Sequence, residues 1–410
     1  MICLERDLQA AVARVRSGNA PAHKSIVEDL TVGIDFLTDF WEDNYLRDYI
    51  PGGGNRIQFL TGRKGSGKTH FIEYFLSKSG NYKKVSFSAK KVWIHDFKEI
   101  FFEVLKQCDL EAILSECCKT IVKNLGFTDA QYEGSFVQFL TTSGFNDPIT
   151  KREIRLQLHE MFMNNPLMDN NFALACALLA GGQLGHPLLE DPGRRALLGW
   201  LFGSKEVKLS TLRTLGLSPV RIAKHNARHM LRSLVEVIKL AGYDGLIVCV
   251  DDLEILVSKD SLEEIKYTKL KRDEVYESIR ELVDEIDTLR NVFFLFSFDR
   301  KLIDDNVAGM KSYQALWLRI QNEVQGNRLN RFSNMIDLDK IPVYDVQSVV
   351  RMSKRISEIL NAVPDERKAQ PLSTAAAQEL LSRVEFSELS LPRMVVLATA
   401  EQWEDNEYGF

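Results

Sequence analysis

The residues from Thr61 to Thr69 combine glycines, a lysine and a hydroxyl side chain at a spacing that suits phosphate binding. From Gly62 onward they match the P-loop pattern G-x-x-x-x-G-K-S/T. Glycines let the backbone fold around phosphate oxygens without Cβ clashes, so that its N–H groups donate to them. We therefore predict that Lys68 reaches the β- and γ-phosphates of a nucleoside triphosphate and that Thr69 holds Mg²⁺. The predicted binding residues are Gly62, Arg63, Lys64, Gly65, Ser66, Gly67, Lys68, Thr69 and His70.

The residues on either side of this loop predict the elements that a P-loop requires. Residues 56–60 have the composition of a strand, and residues 70–76 carry apolar side chains at helical spacing. A helix that begins at the loop directs the positive end of its dipole at the phosphates. A plain surface loop before a helix is the alternative, and the strand-loop-helix context favours nucleotide binding.

A second candidate site follows the apolar run at residues 246–250, which is typical of a strand buried on both faces of a parallel sheet. The run ends in Asp251 and Asp252, and Glu254 comes soon after. Ligands bind at the carboxyl ends of such strands. We predict that Asp251 binds Mg²⁺, directly or through water, and that Asp252 orients the attacking water, with Glu254 as the other candidate acid. The alternative is a buried strand that ends in solvated acids.

Two more candidates follow apolar or helical segments further along the chain. Residues 291–297 predict a buried strand that ends at Ser297, a candidate sensor of the γ-phosphate; a capping serine explains the residue equally well. Arg393 follows a proline that suits the first turn of a helix, and from there it could reach the phosphates. A surface arginine is the more frequent case.

A further candidate is an arginine that completes the site of a neighbouring subunit. Arg319 ends a short helical segment, and Arg328 and Arg331 follow before a last strand at residues 335–338. An arginine supplied in this way stabilises the charge of a phosphoryl-transfer transition state. We predict that one of these three, with Arg319 first, has that role, although each could be a solvated surface charge.

Composition sets limits on the class of protein. The 410 residues carry a formal net charge of −5, so a nucleic-acid contact would have to be a local patch. The six cysteines form no C-x-x-C pair, and no apolar run is long enough to span a membrane. These observations predict a cytoplasmic protein with reduced thiols and no membrane partner.

The order of the segments predicts an α/β fold: a parallel sheet flanked by helices, with a large helical insertion and a C-terminal helical lid. We expect an N-terminal helical segment at residues 1–50, with an aromatic-rich helical stretch over residues 26–49, and a P-loop core at 51–92 and 242–340. The insertion is expected at 93–241 and the lid at 341–410.

Two other patterns carry weaker signals. His225 and His229 are four residues apart, but no third ligand accompanies them, so an ordinary helix is favoured over a metal site. The basic residues near 259–272 are interleaved with acids, which favours a solvated face over a nucleic-acid contact. The chain has no guanine-reading N-K-x-D stretch, so ATP is favoured over GTP.

The order of acidic-ended strands, an extra strand between them and a helical lid resembles the AAA+ group of P-loop ATPases. Several stretches read together resemble the BrxD-type ATP-binding proteins of bacteriophage-exclusion (BREX) and related defence islands, over nearly the whole chain. These stretches are residues 16–21, 31–33, 61–69, 195–201, 212–216, 241–246 and 392–393.

The resemblance has two departures. Members usually read Asp-Glu-Ala-Glu after the acidic strand, where this chain has a second aspartate at position 252 and keeps Glu254. They tend to read Thr-Pro-Glu where this chain has Ser297, Phe298 and Asp299. Both departures imply slow hydrolysis with nucleotide binding unaffected.

The family resemblance implies an ATPase with ATP and Mg²⁺ as cofactors and a role in anti-phage defence. It also implies a homo-oligomer that assembles with a helicase or another defence protein and reaches nucleic acid through that partner. A switch or scaffold with little turnover is one alternative, and a DNA-loading ATPase resembling replication initiators is another.

Overall fold

A five-stranded sheet, parallel throughout, forms the centre of the protein. The computed structural model describes residues 9–15, 24–126, 138, 147–186, 189–218, 220–259, 265–321, 330–341, 344–362 and 369–405. The strands are β1 (Asn55–Gly62), β2 (Lys83–Ser88), β3 (Leu246–Asp251), β4 (Val292–Asp299) and β5 (Met335–Asp337), in the sheet order β2-β3-β4-β1-β5. The predicted α/β fold with a parallel sheet is confirmed.

Strand β4 lies between β1 and β3, and this order brings three chain segments to one edge of the sheet. Every residue of β3 and β4 is buried, as expected for strands covered on both faces. Gly62 at the end of β1 pairs in register with Asp299 at the end of β4. On the other side of β4, Val250 pairs with Phe296. The P-loop and the acidic end of β3 therefore emerge at the same edge.

Helices cover both faces of the sheet. They are α1 (residues 9–15), α2 (Lys24–Leu30), α3 (Asp35–Trp41), α4 (Lys68–Lys78), α5 (Phe97–Cys108), α6 (Leu110–Asn124), α7 (Pro148–Leu158), α8 (Asn170–Gln183), α9 (Asp191–Leu201), α10 (Leu209–Thr214), α11 (Ala227–Leu240), α12 (Lys269–Asp284), α13 (Lys301–Asp304), α14 (Gln314–Ile320), α15 (Val346–Leu360), α16 (Thr374–Arg383) and α17 (Leu391–Asp405). Between β2 and β3 the described residues form helices and no strand. Within the described ranges, no helix has both the length and the apolar character needed to cross a membrane.

The apolar side chains form three clusters, one on each face of the sheet and one beside it. Helices α5 to α11 pack on one face and share a single cluster with it. On the other face, Trp41 lies with its ring centroid 5.2 Å from that of Phe71 and 5.3 Å from that of Phe293. The third cluster joins α1 and α2 to α15, α16 and α17. The N-terminal helices therefore pack against the C-terminal ones, beside the P-loop.

The interpretation of residues 26–49 as one helical stretch is wrong. Helix α2 ends at Leu30, and α3 begins only at Asp35. Gly33 between them has φ +79°, a left-handed conformation that glycine adopts without strain. The break has a consequence for the site, because residues between the two helices line the cavity described next. The division into four domains stays a prediction.

Candidate nucleotide-binding site

The P-loop connects β1 to α4 and is shaped by two left-handed glycines. Gly65 has φ +83° and Gly67 has φ +91°, conformations that would strain a residue with a side chain. Helix α4 begins at Lys68, whose Nζ donates to the carbonyl oxygens of Gly62 at 2.9 Å and Arg63 at 3.0 Å. Lys68 therefore lies over the P-loop, where we predict that the phosphates bind.

The hydroxyl that follows this lysine contacts the acid at the end of β3. Thr69 Oγ1 donates to Asp251 Oδ2 at 2.6 Å. Burial raises the pKa of the Asp251 carboxyl, the Asp252 charge raises it further, and the hydroxyl groups of Thr69 and Ser297 lower it. A buried carboxylate beside a hydroxyl is the oxygen set that Mg²⁺ accepts, with the remaining ligands from phosphate and water. These two residues therefore fit the predicted Mg²⁺ site.

A metal site made of protein ligands alone is not found in the part of the chain that the structure describes. No group of three or more His, Cys, Asp or Glu residues there could hold a metal ion. One histidine of the pair considered above, His229, lies with Nδ1 2.7 Å from the Arg232 guanidinium and Nε2 3.8 Å from Asp169. The other histidine, His225, lies in the turn before α11, which begins at Ala227, so the two histidines do not share one helix.

The two acids after Asp251 have different surroundings. Asp252 has φ +62°, and both of its carboxylate oxygens are engaged, Oδ2 by Ser88 Oγ at 2.6 Å and Oδ1 by Lys90 Nζ at 3.0 Å. Glu254 Oε2 accepts a hydrogen bond from the backbone N–H of Asp299 at 3.0 Å. Asp252 is therefore held toward the end of β2, whereas Glu254 is held toward the end of β4.

The Glu254 carboxyl is partly buried near one acid and two lysines. Burial raises its pKa, the Asp252 charge adds to that rise, and the nearby Lys68 lowers it. A base whose pKa lies closer to the working pH transfers protons more effectively. Lys90 Nζ lies 4.0 Å from Glu254 Oε1, so the same lysine is close to both acids.

The other predicted catalytic residues lie at different distances from this site. Ser297 is fully buried on β4 and lies close enough to Asp251 to lower its pKa. Arg393 lies in the first turn of α17 and packs on the P-loop so closely that a Cβ at Gly65 would clash with its side chain. Arg319 pairs with Asp284 and also donates to the carbonyl oxygen of Ala315 at 2.6 Å.

The structure therefore brings Arg393 to the P-loop and Ser297 to Asp251, but neither Ser297 nor Arg319 lines the cavity. Arg331 lies over the ring of Phe36, 5.3 Å from its centroid. Arg328 lies outside the described residues, as does the stretch 16–21 on which the family resemblance partly rests.

A cavity of about 430 Å³ runs from the P-loop to an apolar region that the sequence motifs did not indicate. Its phosphate end is lined by the P-loop, Asp251, Asp252, Glu254 and Asp299. Its other end is lined by Val15, Leu30, Val32, Ile34, Tyr344, Met352, Ile356 and Val396. These apolar residues come from the N-terminal helices, the break before α3, and the C-terminal helices. A polar end joined to an apolar end suits a ligand with phosphates and a planar base.

His70 lines this cavity and ties α4 to the N-terminal segment. Its Nε2 lies 2.9 Å from Thr31 Oγ1, and burial lowers its pKa to about 4, so the imidazole is neutral at neutral pH. Thr31 Oγ1 in turn donates to the carbonyl oxygen of Val27 at 2.8 Å. The sequence predicts His70 as a nucleotide contact, and in the structure its side chain positions the segment that lines the apolar end.

Arg63 and Lys64 fasten the P-loop to the C-terminal helices. Arg63 Nη1 donates to the carbonyl oxygens of Ser387 at 2.9 Å and Val384 at 3.2 Å. Lys64 pairs with Leu389 in a parallel bridge, and the N–H of Ser390 donates to the Lys64 carbonyl at 3.2 Å. The variable positions of the loop pattern thus connect the phosphate end to the lid.

A parallel sheet with a P-loop and an acidic strand end at one edge defines an α/β protein of the P-loop type. The family model described as BREX system ATP-binding protein BrxC/D matches residues 4–397. The chain therefore belongs to the BrxC/D family, as the resemblance implied, and is an ATP-binding protein of BREX phage defence. No curated protein and no solved structure matches it.

Proposed function

We propose that the chain is an AAA+-like ATPase that binds Mg·ATP between its P-loop core and its C-terminal helices and hydrolyses it slowly. The observation that carries this proposal is the 2.6 Å contact between Thr69 of the P-loop and Asp251 at the end of β3. This contact places the metal-binding hydroxyl and the metal-binding acid of a P-loop ATPase together.

The phosphate end supplies the groups that the reaction needs. Lys68 and the N–H groups at the start of α4 bind the β- and γ-phosphates, and Thr69 and Asp251 would hold Mg²⁺. When bound, Mg²⁺ neutralises charge on the phosphate oxygens. Arg393 packs on Gly65 at the other side of the loop, where its guanidinium can add positive charge at the γ-phosphate.

The geometry favours Glu254 over Asp252 as the residue that orients the attacking water. Both oxygens of Asp252 are occupied by Ser88 and Lys90, whereas Glu254 lies near Lys68 with a raised pKa. A glutamate also reaches one methylene further than an aspartate, and a misplacement of about 1 Å costs on the order of a hundredfold in rate. Asp252 then positions Lys90, which is close to Glu254.

The apolar end of the cavity accommodates the base. Val32 and Ile34 approach it from the N-terminal side, and Met352 and Val396 approach it from the C-terminal helices. Burying a purine between these side chains removes apolar surface from water on both faces of the ring. Because the chain lacks the guanine-reading stretch, we propose adenine as the base.

Assembly with other chains is a separate part of the proposed function. Arg319 lies on the surface, and its side chain is 37% exposed even with Asp284 as its partner. A neighbouring copy could therefore receive it, which supports the proposal of a homo-oligomer with a shared site. We propose a helicase or another defence protein as the further partner, on family resemblance alone.

The switch or scaffold with little turnover remains the second candidate function. Its support is Asp252, which stands where members of the family usually have glutamate and whose two carboxylate oxygens are engaged by Ser88 and Lys90. Both candidates predict ATP binding, so only turnover separates them.

The test is the rate of ADP formation by the purified chain with Mg·ATP, with Lys68→Ala as the control. A rate well above that of the variant supports the ATPase. ATP binding with no more ADP than the variant produces would contradict it and support the switch.

A further inference from the structure

A cluster of aromatic and basic side chains lies beside the nucleotide cavity, where the loop after β2 meets the start of α12. The ring of Trp93 lies 5.2 Å from that of Tyr267 and 5.2 Å from that of His95, with both neighbours edge-on. Lys271 Nζ lies 3.7 Å from the centre of the Trp93 ring. Trp93 itself is partly exposed. A lysine over one face of a partly exposed tryptophan places an aromatic ring and a positive charge side by side at the surface.

Exposed lysines lie close to this aromatic cluster in the chain. Lys91 lies two residues before Trp93, and Lys266 and Lys269 flank the Tyr267 side; all three are exposed. Leu270, between Lys269 and Lys271, is 71% exposed. The sequence alone favours a solvated face for the lysines near α12. The fold adds Lys91 and Trp93 from a segment far away in the chain.

Carboxylates also lie near this surface, but two of them share a lysine. Asp96, Glu99 and Glu274 act on the charge of His95. Lys98 Nζ lies 3.0 Å from Asp96 and 3.8 Å from Glu99. Among the described residues, Asp96 and Glu99 therefore have Lys98 as a partner.

The loop that carries Trp93 also reaches the acids of the nucleotide site. Lys90 Nζ donates to Asp252, and the N–H of Lys90 donates to Ser88 Oγ at 3.1 Å. At the other end of the loop, the Tyr267 hydroxyl accepts from the Ile94 N–H at 3.1 Å. A ligand that moves Trp93 or Tyr267 would therefore move a segment that ends on Asp252.

We propose that this surface binds single-stranded nucleic acid, with Trp93 and Tyr267 against bases and Lys91, Lys269 and Lys271 against phosphates. We also propose that a bound strand changes the rate of ATP hydrolysis through Lys90. Unpaired bases stack on aromatic side chains, and lysines track the backbone beside them. A duplex keeps its bases stacked and offers only its phosphates, so it is the weaker ligand. Strand binding stands without the proposed ATPase activity, whereas the effect on hydrolysis rests on it.

The test measures fluorescence anisotropy of labelled oligothymidylate, oligouridylate and a duplex of equal length with the full chain. We expect both single strands to bind more tightly than the duplex, and the two arms to distinguish DNA from RNA. Trp93→Ala should weaken strand binding by about fivefold or more, which is the contribution of one stacked base. Trp93→Phe should retain part of the affinity, and an unchanged free energy of unfolding in Trp93→Ala would exclude a folding defect.

Lysine variants test the phosphate contacts separately. Lys271→Glu should weaken binding and reduce the slope of log affinity against log salt by about 0.7 for each phosphate that the protein no longer neutralises. Lys106→Glu is the matched control, because Lys106 is exposed at the far end of α5. The proposal would be overturned if Trp93→Ala and Lys271→Glu bound the strand with the same affinity as the unmodified chain. Binding of the duplex as tightly as the single strands would also overturn it. Displacement of the strand by polyglutamate at equal charge would overturn it too and would indicate an acidic protein partner.

The connection to the nucleotide site has its own readout. Oligothymidylate should change the ATPase rate of the unmodified chain by at least about twofold, and Lys90→Ala should abolish that change while retaining strand binding. A strand that binds without altering the rate overturns the connection. If the unmodified chain forms no ADP at all, the proposed ATPase fails, and strand binding alone decides this proposal.

Discussion

The phosphate end of the nucleotide cavity and its apolar end, called the base end below, are built in different ways. At the phosphate end, main-chain N–H groups, Lys68, Thr69 and Asp251 come from the loop after β1 and from the end of β3, two strands away in the same sheet. At the base end, apolar side chains come from opposite ends of the chain, among them Val32 and Val396. One end is held by sheet hydrogen bonds and the other by packing between helices.

This difference shows which part of the site is fixed and which part can change. The ends of β1, β3 and β4 are locked in register with one another. The base end depends on how α15 and α17 lie against α1 and α2, which pack through the separate third cluster. Arg63 and Lys64 connect the two ends, because both bind the segment before α17. Nucleotide binding can therefore affect the lid directly from the P-loop.

The largest expected effect comes from the phosphate end. Lys68→Ala should weaken ATP binding by about a hundredfold, because it leaves phosphate charge unpaired in a partly desolvated site. Isothermal titration calorimetry with Mg·ATP measures the affinity. Lys78→Ala at the far end of α4 is the matched control, since this lysine pairs with Glu28 instead. Unchanged affinity in Lys68→Ala would show that the loop does not bind the phosphates.

The next effect separates the two acids at this end. Glu254→Gln should lower the rate of ADP formation by about a hundredfold, the cost expected when the attacking water loses its orienting base. Asp252→Asn should lower it by less than about tenfold, because this residue acts through Lys90. Both variants should bind Mg·ATP with nearly the original affinity. If Asp252→Asn lowered the rate more than Glu254→Gln, Asp252 would be the residue that orients the attacking water.

A smaller effect is expected at the base end. Val396→Ser should weaken ATP binding by about fivefold, because about 1 kcal/mol of apolar burial against the base is removed. Binding of inorganic tripolyphosphate should not change, since it occupies the phosphate end alone. Val350→Ser serves as the control: Val350 packs against the same third cluster and does not line the cavity. An equal loss in both variants would point to a general change in lid packing.

The smallest effect concerns the histidine that joins the two ends. The pKa of His70 is lowered to about 4 from its ordinary value of 6.5, so the unfolded chain binds a proton there that the folded chain excludes. Its contribution to stability is present above pH 6.5 and is lost as the pH falls toward 4. Across this range the free energy of unfolding should fall by at least about 1 kcal/mol more than in His70→Gln. Denaturant unfolding at several pH values measures the difference, and parallel curves for the two proteins would contradict it.

The phosphate end was predictable because its signals are local. The loop at residues 61–69 has a fixed spacing of glycines and lysine, and the run before Asp251 has the composition of a buried strand. The base end has no comparable signal, since any apolar residue fills it and its segments meet only in the folded chain. The helical interpretation of residues 26–49 failed at this place, because Gly33 interrupts a stretch that is otherwise apolar and aromatic.

The roles of Asp252 and Glu254 show a second limit of prediction from the sequence. The acidic charges after β3 were visible in the sequence, but the direction of the Asp252 side chain depends on Ser88 and Lys90 after β2. Helix α8 lies within the predicted helical insertion, but its bounds could not be predicted, because it is apolar all round and has no amphipathic period. The in-trans role of Arg319 stays a prediction, because it depends on a second copy of the chain.

The central claim is that the two ends of the cavity bind one ATP molecule. The most direct measurement is competition against a fluorescent ATP analogue by adenosine, by tripolyphosphate and by ATP. We expect each fragment to displace the analogue weakly, and ATP to do so far more tightly than either, because joining the fragments makes the second contact intramolecular. If adenosine fails to displace the analogue at any concentration, or if ATP binds no better than tripolyphosphate, the apolar end does not hold the base and the account is wrong.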